Sequence, residues 1–119
     1  MSNLEGVHPD LVKVVHRAIE ITTVDFTVIE GLRTLERQAQ LLKEKKTITK
    51  NSRHLTGHAV DLAAWVDGTV SWDWKHYYKI AEAVKQAAQE LEVSIEWGGA
   101  WKSFPDAPHW QLPWSKYPK

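Results

Sequence analysis

Residues 52–65 read SRHLTGHAVDLAAW, and the interpretation of the whole chain depends on this stretch. The apolar sequence after Gly57 predicts a strand, in which successive side chains point to opposite faces. His58 and Asp61 should therefore point apart. Glycine allows a sharp backbone turn, which would bring His54 back toward Asp61. We expect His54 and Asp61 to form a pair at the start of the strand.

These histidines are either ordinary surface and core residues or ligands of a metal ion. The helical zinc motif with two histidines four residues apart is excluded, because no glutamate follows His54 and Gly57 interrupts the spacing. Catalytic zinc sites usually have three protein ligands, so a third is needed. The segment DAPHW, residues 106–110, offers His109 as that ligand and Asp106 as a general base.

The composition limits the classes of partner. A length of 119 residues suits one domain, which we expect to cover residues 1–119. Fifteen basic and fifteen acidic residues give a formal net charge of zero, which argues against nucleic acid as a partner. Because the sequence has no cysteine, disulfides and thiolate metal sites are excluded. A metal ion would have to use His, Asp or Glu.

The sequence predicts neither export nor membrane insertion. The amino-terminal stretch MSNLEGVHPDLVKVV lacks a basic region followed by an apolar core. No apolar run approaches the roughly 20 residues of a membrane span. We therefore expect a protein that is made in the cytoplasm. We also expect it to be a monomer.

Helices and antiparallel strands follow one another without a regular β-α-β order, which indicates an α+β fold. Helical spacing and strand-like runs define the elements. The sequence DG at Asp67 and Gly68 predicts a hairpin turn. The expected helices cover residues 8–22, 34–46 and 73–92, and the expected strands cover residues 25–31, 58–66, 93–97 and 109–113.

Tryptophan is unusually frequent, with seven in the sequence. For any single tryptophan we favour a place in the core over one in an aromatic-walled groove, because large aromatic side chains are mainly buried. The helix at 73–92 should bury one stripe of side chains. The members of that stripe are Trp74, Tyr77, Tyr78, Ala81, Val84, Ala88 and Leu91.

Two segments together resemble the zinc L-alanyl-D-glutamate peptidases of phage endolysins. SRHLTGHAVD matches the pattern Ser-x-His-x-x-Gly-x-Ala-x-Asp, and EWGGAWKSFPDAPHW supplies a later Asp-x-x-His. These enzymes are relatives of the D-alanyl-D-alanine carboxypeptidases and dipeptidases and of the Hedgehog metal-binding fold. The resemblance extends from about residue 28 to about residue 112. It implies a small antiparallel sheet with flanking helices.

The resemblance implies a zinc ion and a catalytic carboxylate. The matching zinc ligands are His54, Asp61 and His109, and zinc with such ligands can activate a water molecule near neutral pH. The catalytic carboxylate of the family matches Asp106. A general base at this position would take a proton from the water that attacks the peptide carbonyl.

The resemblance also implies two residues at the substrate. Arg33, in EGLRT, matches an arginine that contacts the substrate or the developing oxyanion, whereas an arginine taken alone is more often part of a surface ion pair, here with Glu36. Ser52 matches a residue that lines the substrate site. One position departs from the pattern, because many relatives have a histidine where this chain has Ala107. Substrate contacts from that histidine must come from elsewhere.

The implied activity is cleavage of the L-alanyl-D-glutamate bond in peptidoglycan stem peptides, leading to cell lysis. Two alternatives are a D-alanyl-D-alanine carboxypeptidase or dipeptidase, and a non-catalytic metal-binding or wall-binding module. Asp106 favours an enzyme, because a binding module needs no base. Without a signal peptide, such an endolysin should wait in the host cytoplasm and reach the periplasmic cell wall after membrane permeabilisation.

Overall fold

A computed structural model describes residues 4–31, 36, 39–40, 43, 53–102 and 105–117 of the chain. The expected helix at 34–46 lies largely outside the described residues, although the described positions within it are helical. In the described part of the chain, no helix is long and apolar enough to cross a membrane.

The first helix, α1, covers Pro9–Ile21 as expected. His8 caps it, because Nδ1 of His8 accepts a hydrogen bond from the Asp10 backbone N–H at 3.1 Å. Its buried face packs against the second described helix, α2, which covers Trp74–Leu91. The buried residues of α1 are Leu11, Val14, Val15 and Ala18.

The buried face of α2 is rotated relative to the predicted stripe. Asp73 caps this helix as expected, accepting from the Lys75 backbone N–H at 3.1 Å. The stripe is wrong at Trp74, Tyr78 and Leu91, which are exposed. The rings of Trp74 and Tyr78 both contact the ring of Trp97. The residues that are buried are Tyr77, Ile80, Ala81, Ala83, Val84, Ala87 and Ala88.

Five antiparallel strands form one sheet among the described residues. They are β1 (Phe26–Glu30), β2 (Ala59–Val66), β3 (Thr69–Ser71), β4 (Glu96–Trp97) and β5 (His109–Gln111). The strand order is β1-β2-β5-β4, and β3 pairs with the last residues of β2. The strand expected at 93–97 is confirmed only for its last two residues.

The turn between β2 and β3 has the predicted geometry. Asp67 and Gly68 have φ values of 52° and 80°. Two consecutive left-handed residues are typical of the tight turn that suits the twist of a hairpin. Trp65 and Val70 pair directly across this hairpin.

The central strand β2 separates the core from the candidate site. Val60, Leu62 and Ala64 are buried in the hydrophobic cluster that also includes α1 and α2. Side chains of a strand alternate between faces, so Asp61 points to the opposite side. The expected α+β architecture, a small antiparallel sheet with flanking helices, is confirmed.

The expectation that each tryptophan belongs to the core is wrong for most of them. Trp97 and Trp110 are buried and stack with their ring centroids 5.6 Å apart. The other five lie where the chain turns, along a helix end or on an outward strand face. The exposed tryptophans are Trp65, Trp72, Trp74, Trp101 and Trp114.

Candidate metal centre

Gly57 positions His54, which lies in a short 3-10 helix at Arg53–Thr56 just before it. Gly57 has a φ of 76°, and a Cβ atom there would overlap the Gly6 carbonyl oxygen. The chain reverses at this point because glycine tolerates both the left-handed conformation and the close backbone contact. The buried ring of His54 is thereby directed back toward the start of β2.

Asp61 and His109 meet because their strands pair. The two residues are directly opposite in the β2–β5 register. Nδ1 of His109 lies 3.2 Å from Oδ1 of Asp61, and Nε2 of His54 lies 3.3 Å from the same oxygen. The centroids of the two imidazole rings are 5.0 Å apart, and the ring planes form an angle of 73°.

The three side chains form a donor set that fits a divalent metal ion. One potential ligand atom from each of His54, Asp61 and His109 lies within 4.8 Å of the other two. Both histidines are almost fully buried and the aspartate is partly buried. Two imidazole nitrogens and one carboxylate oxygen are ligands that zinc and related transition metals accept. The structure therefore brings together the three residues that the sequence singled out as ligands.

The electrostatics of the cluster favour an ionised carboxylate. Burial raises the pKa of Asp61, but hydrogen bonds and charge from His109 and His54 outweigh burial and hold this pKa well below its usual range. For His109, burial lowers the pKa, while the hydrogen bond and charge of Asp61 outweigh it and raise the pKa above its ordinary value. An ionised carboxylate is the form that binds a metal ion.

A tight turn holds Asp106 close to His109. The Asp106 backbone N–H donates to the Gly98 carbonyl at 2.9 Å, and the His109 N–H donates to the Asp106 carbonyl at 3.1 Å. A Cβ atom on Gly98 would lie 2.6 Å from the Asp106 carbonyl oxygen and 3.0 Å from the His109 Cβ. The negative charge of Asp106 also contributes to the raised pKa of His109. Asp106 is half-buried beside the cluster.

Each imidazole has a second contact behind the cluster. His54 Nδ1 lies 2.8 Å from the Gly31 carbonyl oxygen. His109 Nε2 lies 2.8 Å from Gln111 Oε1, and the Gln111 amide donates to Glu96 at 3.2 Å. Sequence reasoning missed Gln111 and Glu96. The spacing of His109 and Gln111 on one strand placed them on a common face, but nothing in the sequence paired β4 with β5.

Trp101 and His58 differ in their relation to the cluster. The partly exposed ring of Trp101 lies 5.0 Å from the ring of His109 and forms part of the surface around the site. His58 lies elsewhere. Its Nδ1 is 2.6 Å from Oγ1 of Thr56, and its ring centroid is 5.4 Å from that of His8. The sequence prediction that His58 and Asp61 point apart agrees with these separate contacts.

The other predicted site residues are Arg33 and Ser52, and both lie outside the described residues. Their expected roles at the substrate stay predictions. Ala107, at the position where many relatives have a histidine, is buried in the hydrophobic core.

The family model for phage L-alanyl-D-glutamate peptidase matches residues 1–111, which include every residue of the cluster. The chain belongs to this family. It is 34% identical over 107 residues to the L-alanyl-D-glutamate peptidase of Escherichia phage T5, a match that covers 87% of this chain and 78% of the phage protein. These matches confirm the expected class of enzyme, a peptidase.

Solved structures agree with the fold of this peptidase. The L-Ala D-Glu endopeptidase ChiX of Serratia marcescens superimposes with a TM-score of 0.95 at 49% identity, covering 99% of this chain and 89% of ChiX. The vancomycin resistance D,D-dipeptidase VanXYg superimposes with a TM-score of 0.57 at 19% identity, covering 92% of this chain and 53% of VanXYg. The second likeness shows the fold alone, and the expected fold is confirmed.

Proposed function

We propose that the chain is a zinc endopeptidase that cuts the bond between L-alanine and D-glutamate in the stem peptides of bacterial peptidoglycan. The observation that carries this proposal is the convergence of His54, Asp61 and His109 in a member of the L-alanyl-D-glutamate peptidase family. The family supplies the bond, and the cluster supplies the donor atoms for a catalytic ion. We propose that residues 1–119 act as one domain and as a monomer.

Zinc is the metal ion that best suits these donors. Imidazole and carboxylate are its usual ligands in hydrolytic sites, where three protein ligands leave a position open. The chain has no thiolate to offer a softer metal. Zinc held by His54, Asp61 and His109 would supply the Lewis acid that polarises the peptide carbonyl and activates water.

The remaining steps belong to side chains of this chain. Asp106 takes a proton from the attacking water on a carboxylate oxygen and gives it to the departing amine. Arg33 provides a positive charge to a carboxylate of the stem peptide or to the oxyanion that forms on the attacked carbonyl. Ser52 lines the substrate site. The ring of Trp101 beside His109 offers an apolar wall for the peptide.

Cleavage of a D-alanyl-D-alanine bond is the second candidate, supported by the shared fold with a D,D-dipeptidase. Digestion of purified peptidoglycan separates the two. Mass spectrometry should find new stem peptides with amino-terminal D-glutamate. Release of free D-alanine without such peptides would assign the carboxypeptidase activity instead, and hydrolysis of free D-alanyl-D-alanine would assign the dipeptidase activity.

Relatives of this chain occur in phages and in bacteria. The peptidase of Escherichia phage T5 and the endopeptidase ChiX of Serratia marcescens share the L-alanyl-D-glutamate bond that their names state. We propose host lysis, with the enzyme waiting in the cytoplasm until the membrane is permeabilised. Expression in the bacterial cytoplasm should leave growth unaffected, and co-expression of a membrane-permeabilising protein should cause rapid lysis. Permeabilised cells that lyse no faster than cells expressing the permeabilising protein alone would contradict the lytic role.

A further inference from the structure

A series of three polar side chains leads from His109 to β4, at the end of the strand order. His109 and Gln111 lie on the same face of β5, because they are two positions apart on a strand. Gln111 is directly opposite Glu96 in the β4–β5 register. Gln111 is buried, and Glu96 is half-buried. Strand pairing therefore fixes the relative positions of all three residues.

The chemistry of Glu96 sets the direction of these hydrogen bonds. An ionised carboxylate only accepts hydrogen bonds, so the amide nitrogen of Gln111 faces Glu96, at 3.2 Å. The amide oxygen of Gln111 then faces His109 Nε2, at 2.8 Å. Because this oxygen also only accepts, the proton of a neutral His109 ring lies on Nε2. The lone pair is left on Nδ1, the atom that faces Asp61 at 3.2 Å.

His54 reaches the equivalent state by a simpler route. Its Nδ1 lies 2.8 Å from the Gly31 carbonyl oxygen, which accepts a hydrogen bond and cannot donate one. The lone pair of His54 is therefore on Nε2, facing Asp61 at 3.3 Å. A side-chain amide can turn over, whereas a backbone carbonyl at the end of a strand is held in place. His109 thus needs a further residue to set the orientation of its amide partner.

We propose that Glu96, acting through Gln111, is a positioning residue that holds His109 in the tautomer whose Nδ1 binds the metal ion. The inference rests on the proposed role of His109 as a ligand. Hydrogen bonds that orient ligating histidines typically change metal affinity by about 10–100-fold. Glu96 thereby influences the affinity of the centre without touching the ion.

Three variants test this role through the dissociation constant for zinc. Gln111→Leu removes the acceptor and should weaken zinc binding by about 10–100-fold. Glu96→Gln leaves two amides that can pair in either direction, so zinc binding should weaken less. The exchanged variant, Glu96→Gln with Gln111→Glu, keeps the charge and the number of heavy atoms and again gives His109 an acceptor. It should restore zinc affinity to the wild-type value or above.

The measurements distinguish orientation from simple packing. Zinc affinity is obtained by competition with a chromophoric chelator at one pH, and thermal unfolding of the metal-free proteins checks that each variant folds. Glu82→Gln is the charge-matched control, since Glu82 is exposed on α2 and the substitution should leave zinc affinity unchanged. In zinc-loaded protein with ¹⁵N-labelled histidine, the NMR spectrum should show a proton on Nε2 of His109 and none on Nδ1.

The outcomes also separate this inference from the proposed function. Unchanged zinc affinity in folded Gln111→Leu, or an exchanged variant no tighter than Glu96→Gln alone, overturns the positioning role and leaves the metal centre standing. A proton on Nδ1 of His109 in the zinc-loaded protein does the same. Wild-type protein that binds no zinc, or His109→Ala protein that keeps it, overturns the metal centre and the role of Glu96 with it.

Discussion

Asp61 and His109 face each other across the paired strands β2 and β5, with Oδ1 and Nδ1 3.2 Å apart. This pairing joins two distant parts of the sequence, and the turn at Gly57 adds His54 to the same oxygen at 3.3 Å. The cluster is thus built by the backbone, because a strand register and a glycine turn place its members. A substitution that removes one ligand should therefore act on metal binding more than on the fold.

Alanine at His54, Asp61 or His109 should remove most of the bound zinc. Removing a hydrogen bond that supports a ligand lowers metal affinity by about 10–100-fold. The loss of zinc affinity should be larger here, because the ligand atom itself is removed. His58→Gln is the control, since His58 contacts Thr56 and His8 and not the cluster. Metal analysis of the purified proteins checks the prediction. Zinc lost from the His58 variant and kept by the His54 variant would reverse the assignment.

Gly57→Ala should destabilise the protein more than Gly68→Ala. Both glycines have a left-handed φ, at 76° and 80°, which costs an alanine about 1–2 kcal/mol. Only at Gly57 would the new methyl group also overlap backbone, the carbonyl of Gly6, whereas nothing lies within 4 Å of the corresponding atom at Gly68. Thermal unfolding of the two variants measures the difference. Equal losses of stability would show that the contact with Gly6 is easily relieved.

Two of the three proposed ligands, His54 and Asp61, could be paired from local features of the sequence. A glycine between His54 and a strand carrying Asp61 was enough to predict their proximity, because both the turn and the strand are local features. His109 is different, since its place beside Asp61 depends on a pairing between β2 and β5 that no local pattern specifies. Its residue type made His109 a candidate third ligand, and the resemblance to the peptidase family implied that it joins His54 and Asp61.

The errors of sequence analysis have a common physical origin. The burial of Trp74 and Tyr78 was predicted from helical periodicity, but periodicity does not say how the helix is rotated against its partner. The positions of Gln111 and Glu96 depend on the register of β4 and β5. These features arise from tertiary packing, and a single sequence encodes them only through the whole fold.

His58 should make the folded protein less stable in mild acid. Burial, Arg53 and His8 lower the pKa of His58 below its ordinary value. Below about pH 6.5, the unfolded chain binds a proton at His58 that the folded chain resists. Stability is therefore lost as the pH falls from that value toward the folded pKa. The thermal midpoint should decrease more between pH 7.5 and pH 5.5 in wild-type protein than in His58→Gln. Equal decreases in the two proteins would contradict this prediction.

Arg33→Ala should leave the zinc content unchanged and slow the cleavage of peptidoglycan. An arginine side chain is not a metal ligand, so its effect has to come through the substrate or the transition state. Zinc content and the rate of release of new amino termini are measured on the same preparation. A wild-type rate would favour the other interpretation of Arg33, a surface ion pair with Glu36.

Asp106→Asn should keep the fold and the zinc but lower the rate of cleavage by roughly 10²–10⁴-fold, the usual effect of a positioned acid–base group. Asparagine has nearly the same shape, and the backbone bonds of residue 106 to Gly98 and His109 do not involve the side chain. It cannot accept the proton of the attacking water. If Asp106 only stabilises the turn, asparagine should serve almost as well, because both residues favour turns.

Asp67→Asn is the charge-matched control, since Asp67 is exposed in the β2–β3 turn. The rate of this control should equal that of wild type. A folded, zinc-loaded Asp106→Asn protein that cleaves peptidoglycan as fast as this control would end the assignment of Asp106 as the general base.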